Sequence, residues 1–280
     1  MKRWLIARRI VQAGAIVLFS MPIIITGWNL LGLPVSAEAT DFRIPTPAQQ
    51  FVFGSLSSSE VLGIRLSDPY AFLQSTLATR QLNITWLWTV LPIFAFYVTI
   101  GSRIFCGWVC PVNPVLELVN WLRKKLNIPN AGYKLPRKTK IAVMVFFLLV
   151  SFAVSRPLFE AISPIAAVGK TILYGSFAGT GTLLGIIILE LFWAPRIWCR
   201  SLCPLGGFYQ VFGRIGIFRP HIKHNLCVSC GECKEVCLVD PQILEPATQR
   251  MSTKVRAGDC MRCGSCIDVC PSKCLKMRVF

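Results

Sequence analysis

Long apolar runs alternate with basic, polar stretches along this chain. Four runs, at 10–33, 84–104, 141–159 and 177–194, are near the length of about 20 residues that a helix needs to cross a bilayer. They predict four transmembrane helices. Past Pro220 the runs stop and cysteines crowd in, which predicts a separate polar domain. The expected fold is therefore a membrane all-α region over residues 1–219, followed at 220–280 by an α+β, two-cluster ferredoxin-like domain. Between the second and third runs, "NPVLELVNWLRKKLN" puts Val115, Leu118, Val119, Leu122 and Leu126 on one helical face, opposite Arg123, Lys124 and Lys125. That pattern fits a helix lying in the membrane interface; an ordinary helix packed on the bundle is the other reading.

Charge sharpens the membrane picture. The formal net charge is +17, with 30 Lys and Arg against 13 Asp and Glu, which alone would suggest a nucleic-acid partner. The basic residues instead alternate by segment: four in 1–9, three in 33–83, eight in 101–140, two in 155–176 and thirteen after Ala194. This is a topological pattern, not a binding face, so no nucleic acid is expected. It places both termini of a multi-pass membrane protein in the cytoplasm. All eight Trp fall near the ends of the predicted spans. The opening "KRWLIARR" and the "VSA" before Glu38 resemble a cleavable signal, but the apolar run between them is too long, which favours an anchor.

Composition agrees, with 54% hydrophobic and 15% charged residues. It also narrows the chemistry. The chain has no phosphate loop, no dinucleotide fingerprint and no nucleophile set, and its two histidines, His221 and His224, cannot supply a haem array.

Thirteen cysteines carry the chemical signal. "CVSCGECKEVC" supplies Cys227, Cys230, Cys233 and Cys237, and "CMRCGSCIDVCP" supplies Cys260, Cys263, Cys266 and Cys270. Intervals of two, two and three residues are the bacterial ferredoxin pattern, in which the fourth cysteine of each run ligates the other [4Fe-4S] cluster. One cluster would take Cys227, Cys230, Cys233 and Cys270, and the other Cys237, Cys260, Cys263 and Cys266. Leu238 stands where the pattern has proline. Zinc is disfavoured because its sites pair two-residue spacings across a longer gap, and disulfides because a cytoplasmic tail is reducing. Cys274 lies outside both runs, as an idle buried thiol or a substitute ligand.

A second pattern repeats. "RIFCGWVCP" at 103–111 and "RIWCRSLCP" at 196–204 each follow an apolar run and end in Cys-x3-Cys-Pro. Residues four apart share a helical face, so Cys106 with Cys110, and Cys199 with Cys203, each direct two sulfurs one way. Both copies arrive at the same membrane depth. The four thiolates are expected to bind one further iron-sulfur centre; paired redox dithiols and simple helix caps are the alternatives. Arg103 and Arg196 would anchor helix ends, or balance a negative centre. A carboxylate within a spanning helix is costly and usually functional, so Glu190, inside the fourth run, is the candidate catalytic residue, as a proton acceptor. It could instead be an interfacial partner for a basic neighbour. Asp68, Arg156 and Glu160 are weaker candidates.

The order of helix, "RIFCGWVCPVNP", interfacial helix, helix, "RIWCRSLCP" and two ferredoxin motifs resembles the NapH family, the ferredoxin-type membrane subunits of quinol dehydrogenases serving periplasmic nitrate reduction. Similar chains occur in methylamine and nitrous-oxide metabolism. The resemblance implies a multi-pass oxidoreductase component of the bacterial inner membrane that takes electrons from the membrane quinone pool. It implies delivery to a periplasmic ferredoxin-like subunit, a c-type cytochrome and nitrate reductase. The alternative is a membrane assembly or metal-handling factor that uses the paired dithiols to exchange copper or reduce a partner.

Overall fold

A computed structural model describes residues 3–25, 52–54, 58–61, 64–82, 84–129, 135–168 and 180–279. Trp28, the region before Glu38 and the end of the first apolar run lie outside these residues. Helix α1 (Arg3–Ile25) opens the chain. Its first turn holds no acidic residue, and the tail supplies one: Asp268 accepts hydrogen bonds from the N–H groups of Trp4 (3.1 Å) and Leu5 (2.9 Å). Further along the chain an antiparallel sheet forms from β1 (Val52–Gly54), β2 (Ser58–Val61) and β3 (Ile64–Ser67), in that order. Asp68 then caps α2 (Pro69–Thr79), accepting from the N–H groups of Tyr70 and Ala71, with Pro69 at the first helical position.

The three remaining apolar runs form α3 (Ile84–Ile100), α6 (Thr139–Val154) and α8 (Thr180–Phe192). Between them lie α4 (Ile104–Trp108), α5 (Val112–Lys125) and α7 (Leu158–Ile162). A single π turn, Trp198–Leu202, leads into α9 (Pro204–Phe212). The tail pairs β4 (Phe218–Ile222) antiparallel with β5 (Leu275–Val279) around short helical turns.

The expectation of four transmembrane helices is corrected by this geometry. Among the described residues no helix is long and apolar enough to cross a membrane. The runs are broken by backbone features that hydropathy does not register. Helix α3 stops after 17 residues, about 26 Å against a hydrocarbon core of about 30 Å, because Gly101 turns away at φ +147°. A Cβ at Gly101 would overlap the Arg262 guanidinium, so the close approach requires glycine. Helix α6 ends after 16 residues at Ser155, in the left-handed conformation, and α8 after 13, shortly before Pro195. Helix α1 is longer but begins with Arg3, Arg8 and Arg9. Arg8 and Gln12 are buried against the protein.

Two cores result. One gathers Tyr70, Phe105, Val112, Leu116, Phe159, Ile186, Leu205 and Tyr209 from the helical region. The other gathers Ile222, Val239, Ile243, Leu244, Val255, Met261 and Leu275 from the tail. Apolar side chains are left exposed on α3 (Trp86, Trp88, Phe96), α6 (Phe146, Leu149) and α8 (Leu184, Ile188). Helix α5 departs from its sequence pattern at two positions: Arg123 is buried rather than on the cationic outer face, and Val119 is buried while its apolar neighbours Leu118, Leu122 and Leu126 are exposed. The Arg123 guanidinium spends its donors on the carbonyls of Glu190 (3.1 Å), Pro129 (2.8 Å) and Ile128 (3.4 Å), which makes its burial tolerable.

Candidate iron-sulfur sites

The repeated Cys-x3-Cys-Pro motifs share a local geometry. In the first, the N–H of Cys110 donates to the carbonyl of Phe105 at 2.9 Å; in the second, the N–H of Cys203 donates to that of Trp198 at 2.8 Å. Each is a five-residue, π-type closure that begins at the aromatic preceding the first cysteine, a wide turn of the kind that recurs at functional sites. The proline that follows lacks an N–H and opens the next helix, α5 after Pro111 and α9 at Pro204.

The two motifs grip each other through their arginines. Arg103, 1% exposed, donates from Nη2 to the carbonyl of Cys199 at 2.9 Å, so the first motif's cation holds the second motif's backbone. Arg196 reciprocates, donating from Nη1 to Oδ1 of Asn113 at 2.7 Å, with Nη2 lying 3.5 Å from Glu117. Arg196 itself sits in the left-handed region, φ 63°, which a non-glycine residue adopts only when held. Glu190 holds it. One carboxylate oxygen accepts the N–H of Arg196 and the other accepts that of Trp198 at 3.0 Å, fixing the segment that carries Cys199. Both oxygens of this predicted proton acceptor are thus engaged by backbone donors.

Cys106, Cys110, Cys199 and Cys203 come together beside the helical core, where all four pack. Burial raises the Cys110 thiol well above the ordinary range, and the neighbouring Cys106, Cys199 and Cys203 add to the effect. Burial likewise lifts Cys199 to about 12 and Cys203 to about 11. Exchange chemistry works through thiolates, so burial here opposes a free dithiol and suits sulfurs deprotonated by a bound metal centre. Two cations stand close by. Arg103 Nη1 lies 3.1 Å from Oδ1 of Asp259, and Lys140, wholly buried, bonds the same oxygen. Burial lowers Lys140 to about 8, with the Arg103 charge adding to that and Asp259 opposing it.

In the tail the eight motif cysteines separate into two groups. A cavity of about 160 Å³ is lined by Cys227, Cys230, Cys233 and Cys270, and also by Cys274. A second, much smaller cavity is lined by Cys237, Cys260, Cys263 and Cys266. Each group contains the same four motif cysteines as one of the crossed ligand sets that ferredoxin spacing implies. Burial raises the Cys233 thiol, and Cys230, Cys227 and Cys270 are the charges that raise it further; burial and then Cys263, Cys260, Cys237 and Cys233 act in the same way on Cys266. Cys274 is buried with its sulfur 3.4 Å from that of Cys270. Among the described residues no three His, Cys, Asp or Glu side chains converge on a single ion. A four-iron cube draws one sulfur to each iron and so keeps its ligands apart.

Cys106 and Cys199 pack against both cores, so the quartet adjoins the tail directly. Gly107 is part of the reason: a Cβ there would stand 2.9 Å from the Met261 carbonyl, between two tail cysteines. The sequence reading overlooked Asp259, Lys140 and Gln12, whose Nε2 holds the Gly107 carbonyl at 3.1 Å. Only the position of Asp259, directly before Cys260, hinted at its place. Asp68 is also brought close: Tyr209 donates to its Oδ1 at 2.9 Å. Arg156 and Glu160 are not part of this assembly, although Glu160 contributes charge near Asp68.

The chain matches the family described as a 4Fe-4S binding domain at residues 82–129 and 176–224, one segment around each Cys-x3-Cys-Pro motif. It matches the 4Fe-4S dicluster domain at 219–271. Among its relatives are the methylamine utilization ferredoxin-type protein MauN of Methylorubrum extorquens, 35% identical over 89% of this chain and 88% of that protein, and the ferredoxin-type protein NapH of Haemophilus influenzae, 37% identical over 80% and 79%. Escherichia coli NapH is 31% identical over 96% of this chain and 86% of its own. No solved structure matches. The chain belongs to the NapH family of ferredoxin-type proteins and is an iron-sulfur electron-transfer protein.

Proposed function

We propose that the protein withdraws electrons from membrane quinol at the bacterial inner membrane and passes them toward a periplasmic reductase such as nitrate reductase. A periplasmic ferredoxin-like subunit and a c-type cytochrome are the intermediate partners. Bound iron-sulfur clusters supply one-electron chemistry, whereas a quinol gives up two electrons and two protons on becoming a quinone. One observation carries the reading: Cys106 and Cys199 touch both cores, so the quartet forms a sulfur-lined bridge between apolar helices and the two cysteine groups of the tail. The exposed apolar side chains of α3, α6 and α8 give that bridge a lipid-compatible surround.

The residues have separate tasks in this reading. Cys106, Cys110, Cys199 and Cys203 hold a further iron-sulfur centre. Arg103 and Lys140 place positive charge beside it, stabilising a negatively charged thiolate set, while Asp259 keeps both cations in position. Glu190 acts as a positioning residue that fixes the Cys199 segment.

Anaerobic iron and sulfide counting on the full-length protein tests the ligand assignment. Replacing all four quartet cysteines with serine should remove about four of about twelve irons. Unchanged iron would remove the shared centre. Addition of quinol under anaerobic conditions should bleach the cluster absorbance of the intact protein. Reduction by dithionite but not by quinol would leave an electron carrier without this donor, and bound copper with indifference to quinol would favour metal handling.

A further inference from the structure

The structure assigns a second binding site: we propose that a basic recess between the exit of α9 and the tail holds the phosphate of an anionic phospholipid. The recess has a volume of about 640 Å³ and is lined by Arg137, Arg214, Arg219, Lys254 and Arg256, with no carboxylate in its wall. Arg137 is partly offset by Asp240 at 3.4 Å and Asp259 at 3.8 Å. Arg219 spends donors on the carbonyls of Gly216 and Arg214 and keeps its charge. The side chains of Arg214, Lys254 and Arg256 have no hydrogen-bonding or ionic partner among the described residues. His221, whose proton affinity is lowered by burial and then by Lys254, Arg278 and Arg219, also lines the recess, and its buried Nε2 has no partner.

The other large cavity provides the contrast. It measures about 410 Å³ and is also lined by four cations, Arg8, Lys124, Arg196 and Arg200, but Glu117, Glu235 and Asp268 share its wall. There the protein neutralises itself. In the basic recess like charges crowd one another, an arrangement that an anion of two or more oxygens relieves. The rim identifies the kind of anion. Ile215, 63% exposed, and Ile217, 36% exposed, line the recess beside Arg214 and Arg219. A phosphate seated among the cations with acyl chains against these isoleucines satisfies both surfaces, whereas a soluble phosphate or an acidic protein segment leaves the apolar rim unused.

The test uses the purified full-length protein in uncharged detergent and reads its melting temperature by tryptophan fluorescence. Phosphatidylglycerol should raise that temperature by about 3 °C or more, and phosphatidylcholine should not. In the variant R214Q/R256Q, which alters two exposed residues, the phosphatidylglycerol shift should disappear while the lipid-free melting temperature stays the same. Should that variant fold poorly, K254Q alone should reduce the shift. Equal shifts from both lipids, or none from either, would overturn the site. A shift of the same size from inorganic pyrophosphate, or from poly-glutamate without any from the lipid, would overturn the lipid assignment. None of these readouts depends on bound iron or on quinol, so this site and the proposed electron route fail separately.

Discussion

Cysteines meet in two ways in this molecule, and the contrast is one of range. In the tail, Cys227, Cys230 and Cys233 are gathered by a short stretch of backbone, and each group needs only one cysteine from the other run. The helical region does the opposite. Cys106 and Cys199 belong to motifs far apart in the chain, joined through crossed arginines and a buried Arg103–Asp259–Lys140 network. Locally coded sites tolerate damage elsewhere, while a site built from distant segments stands or falls with its buried charges.

Removing Asp259 is the harshest test of that difference. D259A strands two buried cations, and a broken buried ion network costs about 3–5 kcal/mol. Denaturant unfolding should register this loss, and iron counting should find the quartet's share missing while the tail retains its own. A loss below about 1 kcal/mol would mean that something other than this network binds the two motifs together.

A smaller effect should come from Asp68, which belongs to the helical region alone. Burial lifts its carboxyl to about 6 from an ordinary 3.8, outweighing the hydrogen bonds from Ala71, Tyr209 and Tyr70. Glu160 is the charged neighbour that pushes the same way. Because the folded value is the higher one, the native state keeps a proton that the unfolded chain has released between about pH 4 and 6. Stability therefore falls as pH rises through that window and levels off above it, by about 3 kcal/mol in all. In D68N this contribution should vanish, so the wild-type minus variant stability difference should slope between pH 4 and 6 and be flat from 6 to 8. A flat difference throughout would show that Asp68 titrates normally.

Glu190 comes next, at about 2 kcal/mol for E190Q, since the amide offers one acceptor where two N–H groups, of Arg196 and Trp198, need two. Unfolding measurements give this number, and anaerobic quinol titration gives the other half of the answer. A positioning residue predicts lower stability with slower cluster reduction. Unchanged stability with abolished reduction would return Glu190 to the role of proton acceptor.

What was legible in the chain follows the same division. Intervals of two, two and three residues are enough to imply crossed ligand sets, because local backbone fixes them. Proximity of the two Cys-x3-Cys-Pro motifs was an expectation drawn from topology, yet the transmembrane helices behind that topology are absent from the described residues. An apolar count averages through Gly101, Ser155 and Pro195, where the backbone turns. The role of Asp259 was hidden because an aspartate before a cysteine looks like any polar residue until Arg103 and Lys140 arrive from elsewhere. Helix α5 was misread for a related reason: Arg123 is hydrophilic by type, but carbonyls from the segment after it and from α8 satisfy it inside.

That last helix offers the finest test, because one of its turns holds both kinds of cation. Arg123 is 3% exposed and locked to carbonyl groups; Lys125, two residues on, lies over the Trp121 ring with Nζ 5.1 Å from the centroid, and Trp121 is 56% exposed. An exposed cation–π contact contributes about 0.5 kcal/mol. K125A should therefore lower stability by no more than about 0.5–1 kcal/mol, blue-shift tryptophan emission little, and leave iron content unchanged. R123A removes the partner of buried carbonyls and should cost about 1–3 kcal/mol. Similar small losses from the two variants would mean that Arg123 shares an exposed cationic face with Lys125, as the apolar pattern implies, and would reverse its assignment to the interior.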